Sequence, residues 1–280
     1  VARWAPPPSD FLELDGQLVH YRDEGPRNDA LPVVLVHGTG DSLHTWQGWA
    51  AALRGQRRVI SFDLPGFGLT GPSPTGDYRA DTYARFVLAL MDALKVQRFV
   101  IGGCSLGGEV AWRTAAMAPQ RVDRLILVDA SGYPFVPEHI PLAFRLARMP
   151  VVKLLAGSLT PRSLVDSSAR SVFGDPAKVT PALVDRYYEL SLREGNRRAL
   201  VQRLELLDND FATERIRTLK LPTLILWGGR DHLIPPASAQ RFHADIAGST
   251  LVMFDTLGHV PQEEDPQASV QPVKAFLGLK

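Results

Sequence analysis

Short apolar runs alternate with longer amphipathic runs over most of this chain. Pro32–Val36, Arg58–Phe62, Arg98–Gly102 and Val122–Val128 read as strands with no polar face. Ser42–Leu53, Asp81–Leu94 and Leu106–Ala118 lie between or beside them, with apolar residues at helical spacing. A strand that is apolar on both sides needs cover on both sides. Helices of matching number and length supply that cover, so the pattern predicts a mostly parallel α/β sheet with helices on both faces. The pattern resumes with a strand at Leu221–Trp227, a helix at Ala237–Ile246, a strand at Thr250–Phe254 and a final helix at Pro266–Leu277.

Two segments break the rhythm. Residues 1–10 contain Pro6-Pro7-Pro8 and read as an extended, loosely ordered arm. Immediately after them, Asp15-Gly16 between two apolar runs predicts a β-hairpin. Between about 133 and 217 there are only helical stretches broken by Pro and Gly. The domain reading is an arm at 1–10, a first core part at 11–132, a helical insertion at 133–217 and a second core part at 218–280. Within the insertion, Ile140–Leu155 reads as an amphipathic helix interrupted at Pro150, with Phe135, Phe144, Phe173, Tyr187 and Tyr188 as candidate pocket walls.

The 280 residues include 31 basic and 30 acidic ones, a formal net charge of +1, so charge gives no reason to expect a nucleic-acid partner. No apolar run reaches the roughly 18 residues of a membrane span. Cys104 is the single cysteine, which excludes an intramolecular disulfide and suits a cytoplasmic protein. The start at Val1 rather than Met leaves room for a removed leading segment. Neither oligomeric state nor natural substrate is written in these features.

Gly103-Cys104-Ser105-Leu106-Gly107 fits the G-x-S-x-G pattern between an apolar strand and a helix. That setting holds a serine hydroxyl in the open on a sharp turn, and side chains at Gly103 and Gly107 would strike nearby backbone. A serine needs a base to take its proton. His259, in Gly258-His259-Val260-Pro261, follows the last strand. Asp231 follows the preceding strand and would orient the imidazole. The order Ser105, Asp231, His259 suits the pattern. Asp129, at the end of another strand, is the rival acid, and Asp63 reads as a loop-shaping residue. The backbone N–H groups of Leu106 and of Thr39, in His37-Gly38-Thr39-Gly40, are the candidate oxyanion donors. No His, Cys, Asp or Glu cluster has metal spacing, and no cofactor motif occurs.

Together His37-Gly38, Asp63-Leu64-Pro65-Gly66-Phe67-Gly68, the Ser105 turn, Asp231 and Gly258-His259-Val260-Pro261 resemble the α/β-hydrolase superfamily. The resemblance spans most of 11–132 and 218–278, and it implies that 133–217 is a cap domain. Within the family the chain is similar to carboxylesterases and to carbon–carbon hydrolases of aromatic degradation. It implies a serine esterase acting on a small-molecule ester through an acyl-enzyme. The alternatives are carbon–carbon hydrolysis of ring-cleavage products, or a binding protein on the same fold. Serine at the turn departs from the aspartate of haloalkane dehalogenases and epoxide hydrolases, and from the cysteine of dienelactone-type hydrolases. Cys104 stands one position earlier and reads as a buried filler.

Overall fold

The computed structural model describes residues 3–149, 160–206 and 211–279. Eight strands form one sheet: β1 (Ser9–Leu14), β2 (Gln17–Glu24), β3 (Val33–Val36), β4 (Val59–Phe62), β5 (Phe99–Cys104), β6 (Val122–Val128), β7 (Thr223–Gly228) and β8 (Thr250–Phe254). Their order is β1-β2-β4-β3-β5-β6-β7-β8. The β1–β2 and β2–β4 pairs are antiparallel and every other pair is parallel. The predicted hairpin forms with Leu14 opposite Gln17, and its two turn residues take φ 50° at Asp15 and 78° at Gly16.

Helices cover both faces, and the strands show why. Alternate side chains point to opposite sides. Val34, Val36, Ile101, Leu125, Leu127 and Ile225 join one apolar core, with Tyr83, Val87 and Leu90 of α2 (Ala80–Ala93) and Val110, Ala111 and Trp112 of α3 (Leu106–Met117). Val33, Leu35, Val100, Ile126, Leu224 and Leu226 join the other. There they meet Trp49 and Leu53 of α1 (Gln47–Leu53) and Val270 and Val273 of the C-terminal helix at Pro266–Phe276. Each fully buried side chain of this size contributes about 1.5–3 kcal/mol, which makes both cores costly to interrupt.

Between β6 and β7 the described residues form helices and no strand: α4 (Leu142–Ala147), α5 (Arg162–Val172), α6 (Pro181–Ser191), α7 (Asn196–Glu205) and α8 (Thr213–Ile216). The predicted helix at Ile140–Leu155 is observed as the short α4; its second half lies outside the described residues. After β7 come α9 (Ala237–Asp245), α10 (Pro261–Glu264) and α11 (Pro266–Phe276).

Three local differences from the sequence reading have physical causes. β1 begins at Ser9, inside the segment read as an arm, and that segment is tied down at Trp4. The Trp4 Nε1–H donates to Glu189 at 2.7 Å, and the Trp4 carbonyl accepts from His44 Nε2 at 2.8 Å. The helix expected from Ser42 starts as a 3₁₀ turn at Leu43–Trp46, because Asp63 Oδ1 takes the Leu43 N–H at 2.7 Å. β5 runs on through Gly103 and Cys104, which keep their ladder with Leu127 and Val128. No helix among the described residues is long and apolar enough to cross a membrane.

Candidate active site

Three strand ends and one helix start meet at the carboxyl edge of the sheet, where an α/β sheet builds its sites. Ser105 sits between β5 and α3 with φ 56° and ψ −119°, a left-handed conformation that a non-glycine residue rarely adopts. Backbone bonds hold it there. Its N–H donates to Val128 at 3.0 Å, and its carbonyl accepts from Glu109 at 3.1 Å and Ser131 at 3.1 Å. The turn closes only without side chains at two positions. A Cβ on Gly103 would stand 2.1 Å from the Gly107 carbonyl oxygen, and one on Gly107 would stand 2.0 Å from that of Val36.

His259 follows β8 and is 5 % exposed. Its Nδ1–H donates to Asp231 Oδ2 at 2.7 Å, which leaves Nε2 as the ring's other functional atom. Asp231, on the turn after β7, is held by two further donors: its Oδ1 accepts the N–H groups of Leu233 at 2.8 Å and Ile234 at 2.9 Å. Ser105 and His259 line one cavity of about 190 Å³. Cys104 is buried beside them, and its thiol meets the His259 carbonyl at 3.4 Å. Burial pushes that thiol well above its ordinary range, so it stays neutral and unreactive.

The loop after β3 brings Gly38, Thr39 and Gly40 to the same cavity. A Cβ on Gly38 would lie 3.2 Å from Ser105 Cβ, so this backbone runs directly against the serine. His37 pins the loop: its Nδ1–H donates to the Gly38 carbonyl at 2.8 Å, and its Nε2 accepts the Leu64 N–H at 2.9 Å. Burial holds His37 below the usual histidine range, in keeping with a neutral ring. Leu106 opens α3 with its side chain in the core, which leaves only its backbone near the site.

Asp129 also reaches this point. It is fully buried, and its carboxyl, that of Asp231 and the His259 ring place ligand-type atoms within 4.8 Å of one another. The Asp231 and His259 atoms are already engaged with each other, so the trio is a hydrogen-bonded group before it is a metal site.

Several contributors carry no sequence signal. Glu264 accepts the N–H groups of Gly174, Asp175 and Gly258, which clamps the histidine loop to the helical segment. The His259 N–H donates to Val172 of α5 at 2.8 Å. Asp41, two residues past Thr39, lines the cavity, and burial followed by the Glu263 charge raises its pKa to about 7. Glu263 holds Arg186 and accepts from the Tyr187 hydroxyl at 2.6 Å. Of the aromatic wall candidates, Phe135, Phe144 and Tyr187 line the cavity. Phe173 packs into the core beneath the sheet, and Tyr188, one position further round α6 than Tyr187, is absent from the wall.

The sequence model of the alpha/beta hydrolase fold matches residues 32–266. The chain belongs to that family. An uncharacterized protein of Mycobacterium tuberculosis is 31 % identical over 98 % of this chain and 82 % of its own length. The 2-hydroxy-6-oxo-2,4-heptadienoate hydrolase of Pseudomonas putida is 30 % identical over 89 % of this chain and 90 % of its own. Among solved structures, the meta-cleavage product hydrolase of Pseudomonas fluorescens superposes with a TM-score of 0.83. It is 28 % identical and the match covers 96 % of this chain and 97 % of that one. Membership in the alpha/beta hydrolase family makes this chain a hydrolase; the bond it breaks is a separate question.

Proposed function

We propose that this hydrolase cleaves carboxylic esters through an acyl-enzyme on Ser105. The observation that carries the reading is a strained serine sharing a cavity with a histidine whose far nitrogen is already bonded to a buried aspartate. His259 Nε2 takes the Ser105 proton as Oγ attacks the ester carbonyl. The negative oxygen is received by the N–H groups of Leu106 and Thr39. His259 then returns the proton to the departing alcohol, and water cleaves the acyl-enzyme by the same route in reverse. Asp231 fixes the imidazole tautomer and stabilises its charged form. The helices between β6 and β7 serve as a cap over this reaction.

Cavity chemistry supports an uncharged acyl group. Phe135, Phe144, Val165, Val172, Leu200 and Val260 give the wall apolar surface. The buried guanidinium of Arg186 is neutralised by Glu263 rather than offered to a ligand.

The test pairs Ser105→Ala with a graded series of p-nitrophenyl esters and a fluorophosphonate probe. Turnover should fall on the order of 10⁴–10⁶-fold while the fold survives, and the probe should label the native chain alone. Undiminished turnover in the variant removes the nucleophile. A native chain that stays unlabelled has no reactive serine and overturns the acyl-enzyme.

A second reading, carbon–carbon hydrolysis of a ring-cleavage product by the same residues, is favoured by the similarity to the heptadienoate hydrolase. Such substrates carry a carboxylate. Arg197, half-buried in the cavity wall, is the cation available to receive one. Faster turnover of a ring-cleavage product than of any ester would replace the first reading with the second.

A further inference from the structure

Asp129 follows β6 in a left-handed conformation, φ 43°, which glycine, asparagine and aspartate tolerate better than other residues. Its Oδ1 accepts the Gly228 N–H at 2.9 Å. Its Oδ2 is buried and no N–H or hydroxyl donates to it among the described residues. Asp231 lies beside it, inside the 4.8 Å group that also holds His259.

Two carboxyls this close and this deeply buried resist being ionised together. The count of donors decides which one is charged. Asp231 receives three N–H groups, from Leu233, Ile234 and His259. Asp129 receives one. We propose that Asp129 is a permanently protonated carboxylic acid whose O–H donates to the Asp231 carboxylate, so that it positions Asp231 as a neutral partner.

The electrostatics agree. Burial, and then the Asp231 charge, push the Asp129 carboxyl well above the usual carboxylate range, and Glu264 acts in the same direction. The Cys104 thiol nearby is neutral for its own reasons of burial. The remaining neighbour is the His259 ring. An ionised Asp129 would set two negative charges behind that ring and favour imidazolium, which cannot accept the serine proton. The acid proton takes no part in turnover. The Ser105 proton still travels to His259 and on to the leaving group, and Asp129 keeps its own throughout.

The catalytic consequence rests on the Ser105–His259–Asp231 reading, but the protonation state does not, so the first measurement uses resting enzyme without substrate. Infrared difference spectra of native protein against Asp129→Asn at neutral pH should show one carboxylic-acid carbonyl band, sensitive to deuterium exchange, that the variant lacks. A difference showing only a lost carboxylate band overturns the proposal, whatever the enzyme hydrolyses. The second measurement is kinetic. Asp129→Leu removes the donor, and should lower kcat roughly tenfold with KM held and shift the downfield proton resonance of the His259 Nδ1–H. Asp129→Asn supplies an amide donor in the same place and should recover most of that loss. A fall in Asp129→Asn as deep as in Asp231→Asn would make Asp129 the charged acid and overturn the proposal. Should the leucine variant fail to fold, the infrared band and the asparagine variant decide the matter alone.

Discussion

This molecule contains two buried histidine–aspartate pairs of the same length. His20 Nδ1 donates to Asp63 Oδ2 at 2.7 Å, and His259 Nδ1 donates to Asp231 Oδ2 at 2.7 Å. Their surroundings differ. His20 is 0 % exposed, stacks on Phe11 with centroids 5.0 Å apart, and its Nε2 has no partner among the described residues. His259 lines a cavity shared with Ser105. Asp63 spends its remaining capacity on loop backbone, accepting the N–H groups of Leu43 and Leu69 at 2.7 Å each. A histidine–aspartate pair is therefore no sign of chemistry by itself. What separates the two is a nucleophile and an open space on the far side of the ring.

The comparison is broken most sharply by neutralising each aspartate. Asp231→Asn should lower kcat on the order of 10⁴-fold, because the amide favours the wrong imidazole tautomer. It should cost stability as well, because Asp231 also joins two loop N–H groups and a buried ring. Asp63→Asn should cost stability without the loss of turnover. Its carboxylate joins two loop N–H groups and a buried ring, and although burial alone would push it up, the His20 hydrogen bond leads the contacts that hold it below the usual range. Removing that charge should cost about 3–5 kcal/mol of stability, while the folded fraction keeps turnover within a few-fold. Urea titrations beside steady-state kinetics on both variants give the answer. A crossed result, with Asp63→Asn folded but inert, would move the functional centre to the other pair.

The same comparison shows what the sequence could and could not say. Elements were legible because their signals are local. Val122–Val128 and Thr250–Phe254 form strands within the bounds read from apolar pattern alone. The glycines around Ser105 mark a turn that can be recognised without any partner. Asp231 and Asp129 are alike in that light, since each ends an apolar strand. Their difference lies in who donates to them: Leu233 and Ile234 are local to Asp231, but Gly228 reaches Asp129 and His259 reaches Asp231 only once β6, β7 and β8 stand side by side. The clamp of Glu264 on Gly174 and Gly258 is invisible for the same reason, as it joins segments about ninety positions apart. Aromatic character says nothing of direction: of the wall candidates, Phe173 joins the core beneath the sheet and Tyr188 is not among the residues that line the cavity.

The mildest of the expected effects concerns His44, which packs against His20 at 5.9 Å in the centre that lacks a nucleophile. Burial lowers its pKa to about 4, against attraction from Asp63. Its Nε2–H donates to the Trp4 carbonyl at 2.8 Å, which by itself favours the charged ring, and its Nδ1 faces the Ser42 hydroxyl at 3.1 Å; burial outweighs that bond and the Asp63 attraction. The folded pKa is depressed below the ordinary 6.5, so the unfolded chain binds the proton first. His44 therefore contributes stability that is full above about pH 6.5 and is lost as pH falls toward 4, on the order of 3 kcal/mol in all. Asp41 works with the opposite sign, since its raised pKa of about 7 means the folded state takes its proton first as pH falls. Subtracting the pH–stability curve of His44→Gln from that of the native chain cancels the Asp41 part and isolates the histidine. The difference should decline between pH 6.5 and 4, while the acid limb of kcat/KM is the same in both proteins. A difference that is flat with pH would mean that His44 is not held neutral by burial. A shifted acid limb would mean that the two histidine centres are coupled, and that the closed one helps to run the open one.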